Sequence, residues 1–117
     1  MTNILLIEDD ATMIALLKTL LELEGHHVTP VINPNQDVLK LILDERPDTI
    51  IMDVHLHHAN GLEILKSIRK MDLSWKPRIL MTSGKDYTQE SIQAGADGFL
   101  LKPYMPDDLI RQLNHAQ

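Results

Sequence analysis

Four short stretches of the chain are apolar at every position: Ile4-Leu5-Leu6-Ile7, Ile50-Ile51-Met52, Ile79-Leu80-Met81 and Phe99-Leu100-Leu101. Runs of this length without alternation fit strands buried on both faces, as in a parallel sheet. A weaker candidate spans Val28 to Ile32. Between the strands the apolar period changes. Met13, Leu16, Leu17, Leu20 and Leu21 follow the i, i+3, i+4, i+7, i+8 spacing of one helix face, with Asp10 placed to cap its start and Gly25 to stop it. Val38, Leu41 and Ile42 predict a second helix that ends before Pro47, and Ile64, Leu65 and Ile68 a third. A weakly patterned fourth is expected around Tyr87 to Ala94. The fifth begins near Pro106, with Asp107 and Asp108 in its first turn, where acidic side chains suit the helix dipole. Strand and helix alternating five times predict a doubly wound α/β fold with right-handed crossovers.

A length of 117 residues suits one domain, and 44% apolar content supplies its core. With four aromatic residues (Trp75, Tyr87, Phe99 and Tyr104), that core must be aliphatic. The absence of cysteine excludes a disulfide scaffold and a thiolate zinc site. No signal-peptide pattern opens the chain, and no apolar stretch approaches the ~20 residues of a membrane-spanning helix. A cytoplasmic location is therefore expected, with no membrane partner. Seventeen acidic residues against 11 basic give a formal charge of −6, which disfavours direct binding of nucleic acid.

In an open parallel sheet ligands bind beyond the carboxyl ends of the strands. The first strand ends in Glu8-Asp9-Asp10, the third in Asp53, the fourth in Thr82-Ser83-Gly84 and the fifth in Lys102-Pro103. Singly, these are a helix cap, a strand end and a loop lysine. Together they bring carboxylates, a hydroxyl and an ammonium to one rim. Clustered carboxylates call for a cation, and oxygen donors without thiolate select magnesium. Such a set predicts a phosphoryl-transfer site in which Asp53 is the nucleophile. The cation and Lys102 neutralise charge, and Thr82 donates a hydrogen bond.

These segments, with Pro47-Asp48-Thr49 before the third strand, Asn60-Gly61 after it and Ala94-Gly95-Ala96-Asp97-Gly98 before the fifth, resemble the receiver domains of bacterial response regulators. The resemblance covers essentially the whole chain, implying that 1–117 form one receiver domain with a flavodoxin-like sheet of order 2-1-3-4-5 and five flanking helices. It implies that Asp53 is the phosphoacceptor and that Asp9 binds Mg2+ (or Mn2+ in its place) directly while Glu8 acts through water. The backbone carbonyl of His55 would supply a further ligand. Thr82 and Phe99 would be the switch pair, and the Lys102–Pro103 bond would be cis. The implied partners are a histidine kinase or histidine phosphotransfer protein and a downstream output protein or domain, with the receiver a monomer or weak dimer. The implied chemistry is self-phosphorylation and autodephosphorylation at Asp53, not turnover of a separate substrate.

His57 stands where this family usually has proline, which is expected to loosen the loop over 54–60. His55, His57 and His58 form a cluster that reads either as a zinc or nickel site or as a solvated loop, the loop being favoured. The span from Thr82 to Lys102 is about two residues shorter than is typical of the family, so a short fourth helix is expected. Gly84 is expected to leave the site open and to help set the lifetime of an acyl phosphate. Three other readings compete with this one. A pseudo-receiver that only binds proteins conflicts with the intact Glu8, Asp9, Asp53, Thr82 and Lys102. An aspartate-nucleophile phosphatase lacks its second acid, since that position is His55. A flavin-binding protein lacks a phosphate loop after the first strand.

Overall fold

The structure, a computed structural model, describes residues 2–31, 37–57 and 59–114. Its elements, in chain order, are β1 (Asn3–Ile7), α1 (Ala11–Leu23), β2 (His27–Pro30), α2 (Val38–Glu45), β3 (Thr49–Asp53), β4 (His55–Leu56), β5 (Ala59–Asn60), α3 (Gly61–Lys70), β6 (Arg78–Ser83), α4 (Thr88–Gln93), β7 (Gly98–Leu101) and α5 (Pro106–Asn114). The main sheet has the order β2-β1-β3-β6-β7 and is parallel throughout. With the small ribbon β4-β5 set aside, this is the expected order 2-1-3-4-5. The weaker strand candidate forms over His27–Pro30, and its Ile32 lies outside the described residues. Pro30 sits at the end of an edge strand, where a missing N–H is tolerated.

Alternation along each strand divides the core in two. Leu5, Ile7, Ile50, Met52, Ile79 and Met81 pack with Ile42 of α2 and with Leu65 and Ile68 of α3. Ile4, Leu6, Ile51, Leu80 and Leu100 pack with Leu17 and Leu21 of α1 and Leu109 of α5. Strands clothed on both faces explain why the runs in sequence lack a polar alternate.

The ends of the elements follow local chemistry. Asp10 caps α1, its carboxylate accepting from the amides of Thr12 at 2.9 Å and Met13 at 3.2 Å. Gly25, at φ +95, supplies the left-handed residue that turns the chain into β2. α2 stops at Arg46, itself left-handed at φ 47 and followed by Pro47. Asn60 caps α3 through the amides of Leu62 and Glu63.

The fourth helix is short, as expected, spanning the six residues Thr88–Gln93 within the stretch from Tyr87 to Ala94, and has no side-chain cap from Tyr87. One expectation needs correction. The segment after β3, expected to be loosened by His57, instead folds into an antiparallel ribbon pairing His55 with Asn60 and Leu56 with Ala59. Gly61 makes that turn passable, because a Cβ there would lie 2.1 Å from the Asp53 carbonyl oxygen.

Candidate functional site

The carboxyl ends of β1, β3, β6 and β7 meet on one rim. Asp53, the last residue of β3, is nearly buried, with its side chain 11% exposed. Lys102 follows β7, and its main-chain N–H donates to the Ser83 carbonyl at 2.8 Å, prolonging the β6–β7 ladder by one bond. That anchor aims the side chain across the sheet. Lys102 Nζ donates to Asp53 Oδ2 and to Glu8 Oε1, each at 2.8 Å. The Lys102–Pro103 bond is cis. Burial alone would lower the lysine pKa, but hydrogen bonds to Asp53 and Glu8 and the two negative charges outweigh it. The net effect holds the ammonium above its ordinary value.

Thr82 lies directly opposite Asp53 in the β3–β6 register and is buried. Its carbonyl accepts from the Val54 amide at 2.9 Å, which fixes the chain on leaving Asp53. The His55 amide then turns back to donate to Asp53 Oδ1 at 3.1 Å. Glu8 is buried, and its second oxygen accepts from the amides of Asp9 and Asp10 at 3.0 and 3.2 Å. Asp9 is differently held: its Oδ2 accepts from the His57 main-chain N–H, and the His57 ring Nδ1 stands 3.7 Å from the same oxygen. Phe99, in β7, pairs in register with Met81 and is partly buried against the core on the α3 side. Gly84 has open space where a side chain would be.

Glu8, Asp53, Lys102 and Thr82 are thus brought together, while Asp9 is engaged by the loop after β3. Of the histidine cluster, His55 and His57 are exposed, and His58 lies outside the described residues. Among the described residues no group of three or more His, Asp or Glu side chains stands close enough to hold a metal ion. The donor chemistry nevertheless suits a hard divalent cation. The donors are all oxygens, and three carboxylates less one ammonium leave two negative charges for it to balance. Glu8, Asp9, Asp53 and the His55 carbonyl could supply such oxygens.

Two contributors escaped the sequence reading. Tyr87 meets the His55 ring edge-on at 5.2 Å, linking the loop after the phosphoacceptor candidate to the start of α4. Tyr104, two residues past Lys102, buries a hydroxyl that has no hydrogen-bond partner among the described residues. Burial, the larger influence, raises its pKa to about 12. An aromatic beside Lys-Pro was visible in sequence, but its buried hydroxyl was not.

Residues 4–114 match the family model of the response regulator receiver domain. The chain belongs to this family. It is 36% identical over 105 residues to the transcriptional regulatory protein AfsQ1 of Streptomyces coelicolor, covering 88% of this chain and 45% of that one. It is 28% identical over 113 residues to the chemotaxis protein CheY of Thermotoga maritima, covering 96% and 94%. Among solved structures, the chemotaxis response regulator CheY4 of Vibrio cholerae superposes with a TM-score of 0.85 at 27% identity, covering 97% and 96%. The receiver therefore spans about half the length of transcriptional regulators such as AfsQ1 and nearly all of the CheY proteins. Among the described residues no helix is long and apolar enough to cross a membrane. Receiver domains are signalling modules of two-component systems, and this chain is one.

Proposed function

We propose that residues 1–117 act as a single receiver domain that takes a phosphoryl group onto Asp53 from the phosphohistidine of a histidine kinase or a histidine phosphotransfer protein. The observation that carries this reading is the junction at Asp53: a nearly buried carboxylate at a strand end, bonded to Lys102 at 2.8 Å with Thr82 opposite. An oxygen of Asp53 attacks phosphorus in line, the phosphorus–nitrogen bond breaks, and the donor imidazole leaves with the bonding pair and takes up a proton. Glu8, Asp9, Asp53 and the His55 carbonyl would hold magnesium, which would supply positive charge to offset that of the phosphoryl oxygens.

The residues of the chain do the remaining work. Lys102 gives up part of its pairing with Glu8 and Asp53 to meet the new oxygens. The His55 amide, already aimed at Asp53, donates to the same group. Thr82 supplies a hydroxyl from the adjacent strand, and Phe99 repacks with it. The surface of α4, β7 and α5 then shifts between two packings, and a downstream partner that prefers one of them reads the phosphorylation. Attack of water on phosphorus then breaks its bond to the Asp53 oxygen, releasing inorganic phosphate and restoring the carboxylate.

Incubation with acetyl phosphate and magnesium, followed by intact mass and peptide mapping, tests the reading. One phosphoryl group on Asp53 is expected, absent in Asp53→Asn. A chain that gains none is a protein-binding module only, and the proposal fails.

A further inference from the structure

The hold on Asp9 has no place in the reaction just described. The loop after β3 presents the His55 amide to Asp53 and, two residues on, the His57 amide to Asp9. The first of these N–H groups belongs to β4 and the second to the turn that follows it, so the short segment 55–57 reaches both acids. Lys102 meanwhile spans Glu8 and Asp53. Each of the three carboxylates is thereby given a donor by the protein itself, and among the described residues no three of them gather as a metal cluster.

We infer that the main-chain N–H of His57 is a latch that competes with a divalent cation for Asp9. The inference rests on the cation reading given above and names what the cation must displace. Asp9 has to turn from the loop before it can ligate with Asp53, so the apparent affinity is reduced by the fraction of molecules left latched. Coupling of this kind is reciprocal: the latch weakens the cation, and the cation loosens the loop. The His57 ring, whose Nδ1 stands 3.7 Å from the same Asp9 oxygen, is separable from the N–H. Any residue except proline offers the N–H, and proline removes it. Release also has a route outward, because His55 in the same ribbon rests against Tyr87 at the start of α4.

Magnesium titrations followed by backbone-amide NMR at fixed pH test the latch. His57→Ala removes the ring and keeps the N–H, whereas His57→Pro removes both. The expected result is that His57→Pro binds magnesium about threefold to tenfold more tightly than His57→Ala, the scale of one hydrogen bond to a partly exposed carboxylate. In the parent protein, solvent exchange of the residue-57 amide should accelerate as magnesium saturates, a readout that does not depend on the proline variant folding. Equal or weaker binding by a folded His57→Pro variant, or an amide whose exchange is unchanged at saturation, overturns the latch. The amide would then orient Asp9 as an outer partner of the ion. A parent chain silent to magnesium overturns both the cation reading and the latch, an outcome distinct from magnesium binding that ignores residue 57.

Discussion

At the scale of single residues, Tyr104 and Lys102 shape the alkaline behaviour of the domain. Lys102 ionises above its ordinary 10.5 in the folded chain, and Tyr104 at about 12 instead of 10.0. Both groups hold more protons folded than unfolded at alkaline pH. The Tyr104 contribution is complete below pH 10 and is lost as pH rises toward about 12, while that of Lys102 is complete below 10.5 and is lost above it. Urea unfolding at a series of pH values from 9 upward should show stability falling over that window, and Tyr104→Phe should flatten part of the fall. Because the Tyr104 hydroxyl is buried without a partner among the described residues, Tyr104→Phe is also expected to raise stability at neutral pH by about 1 kcal/mol. Gly61→Ala should act the other way. Its methyl carbon would sit 2.1 Å from a backbone oxygen that cannot move without shifting Asp53, so a loss of more than ~2 kcal/mol is expected in thermal or urea melts. Gly84 is the counterexample, with room to spare. Gly84→Glu should fold normally and slow loss of the phosphoryl group by obstructing water, and equal dephosphorylation rates would count against that role.

Among elements, Arg69 at the end of α3 ties together segments far apart in sequence. Its Nε donates to the Gly95 carbonyl at 2.8 Å, and its two terminal nitrogens to the Pro77 carbonyl and Asp97 Oδ2, each at 2.9 Å. Asp97 in turn accepts from the Ile79 amide at 2.8 Å. The clamp fixes the turn between α4 and β7, where Gly95 adopts φ +109 against the Arg69 side chain. Arg69→Ala is expected to cost about 2 kcal/mol in urea unfolding, with amide exchange rising first in the α4–β7 turn. This part of the fold was not legible in sequence, because neither Arg69 nor Asp97 belongs to an apolar period. By contrast, β1, β3, β6, β7, α1, α3 and α5 could be read directly, since full burial leaves runs of Ile and Leu, Asp10 caps α1, and Pro106 with two acids opens α5. The six-residue α4 could be placed but not delimited, having no side-chain cap and few apolar positions. The ribbon after β3 was missed because two-residue strands lack a period, and a histidine for proline exchange signals only what is lost. The converging site was legible in outline, because strand ends deliver it. That Lys102 would bridge Glu8 and Asp53 while Asp9 turned to the loop depends on side-chain reach, which spacing does not encode.

For the molecule as a whole, two aliphatic cores share one sheet, and Leu80 belongs to the one formed with α1 and α5. Leu80→Ala should cost roughly 2–5 kcal/mol, measurable as a lowered urea midpoint with unchanged slope. Both cores are closed only when β7 is in place, and the ammonium that follows β7 lies 94 residues from Glu8 and 49 from Asp53. Synthesis runs from the other end. A nascent chain halted before Leu101 already carries the acidic half of the site, yet nothing offsets the charge of Glu8 and Asp53, and β6 is a bare edge. Such a fragment should neither settle nor accept a phosphoryl group. If Asp53 is phosphorylated as proposed, competence to signal therefore arrives only with Lys102, after β1, β3, β6 and β7 have all been made.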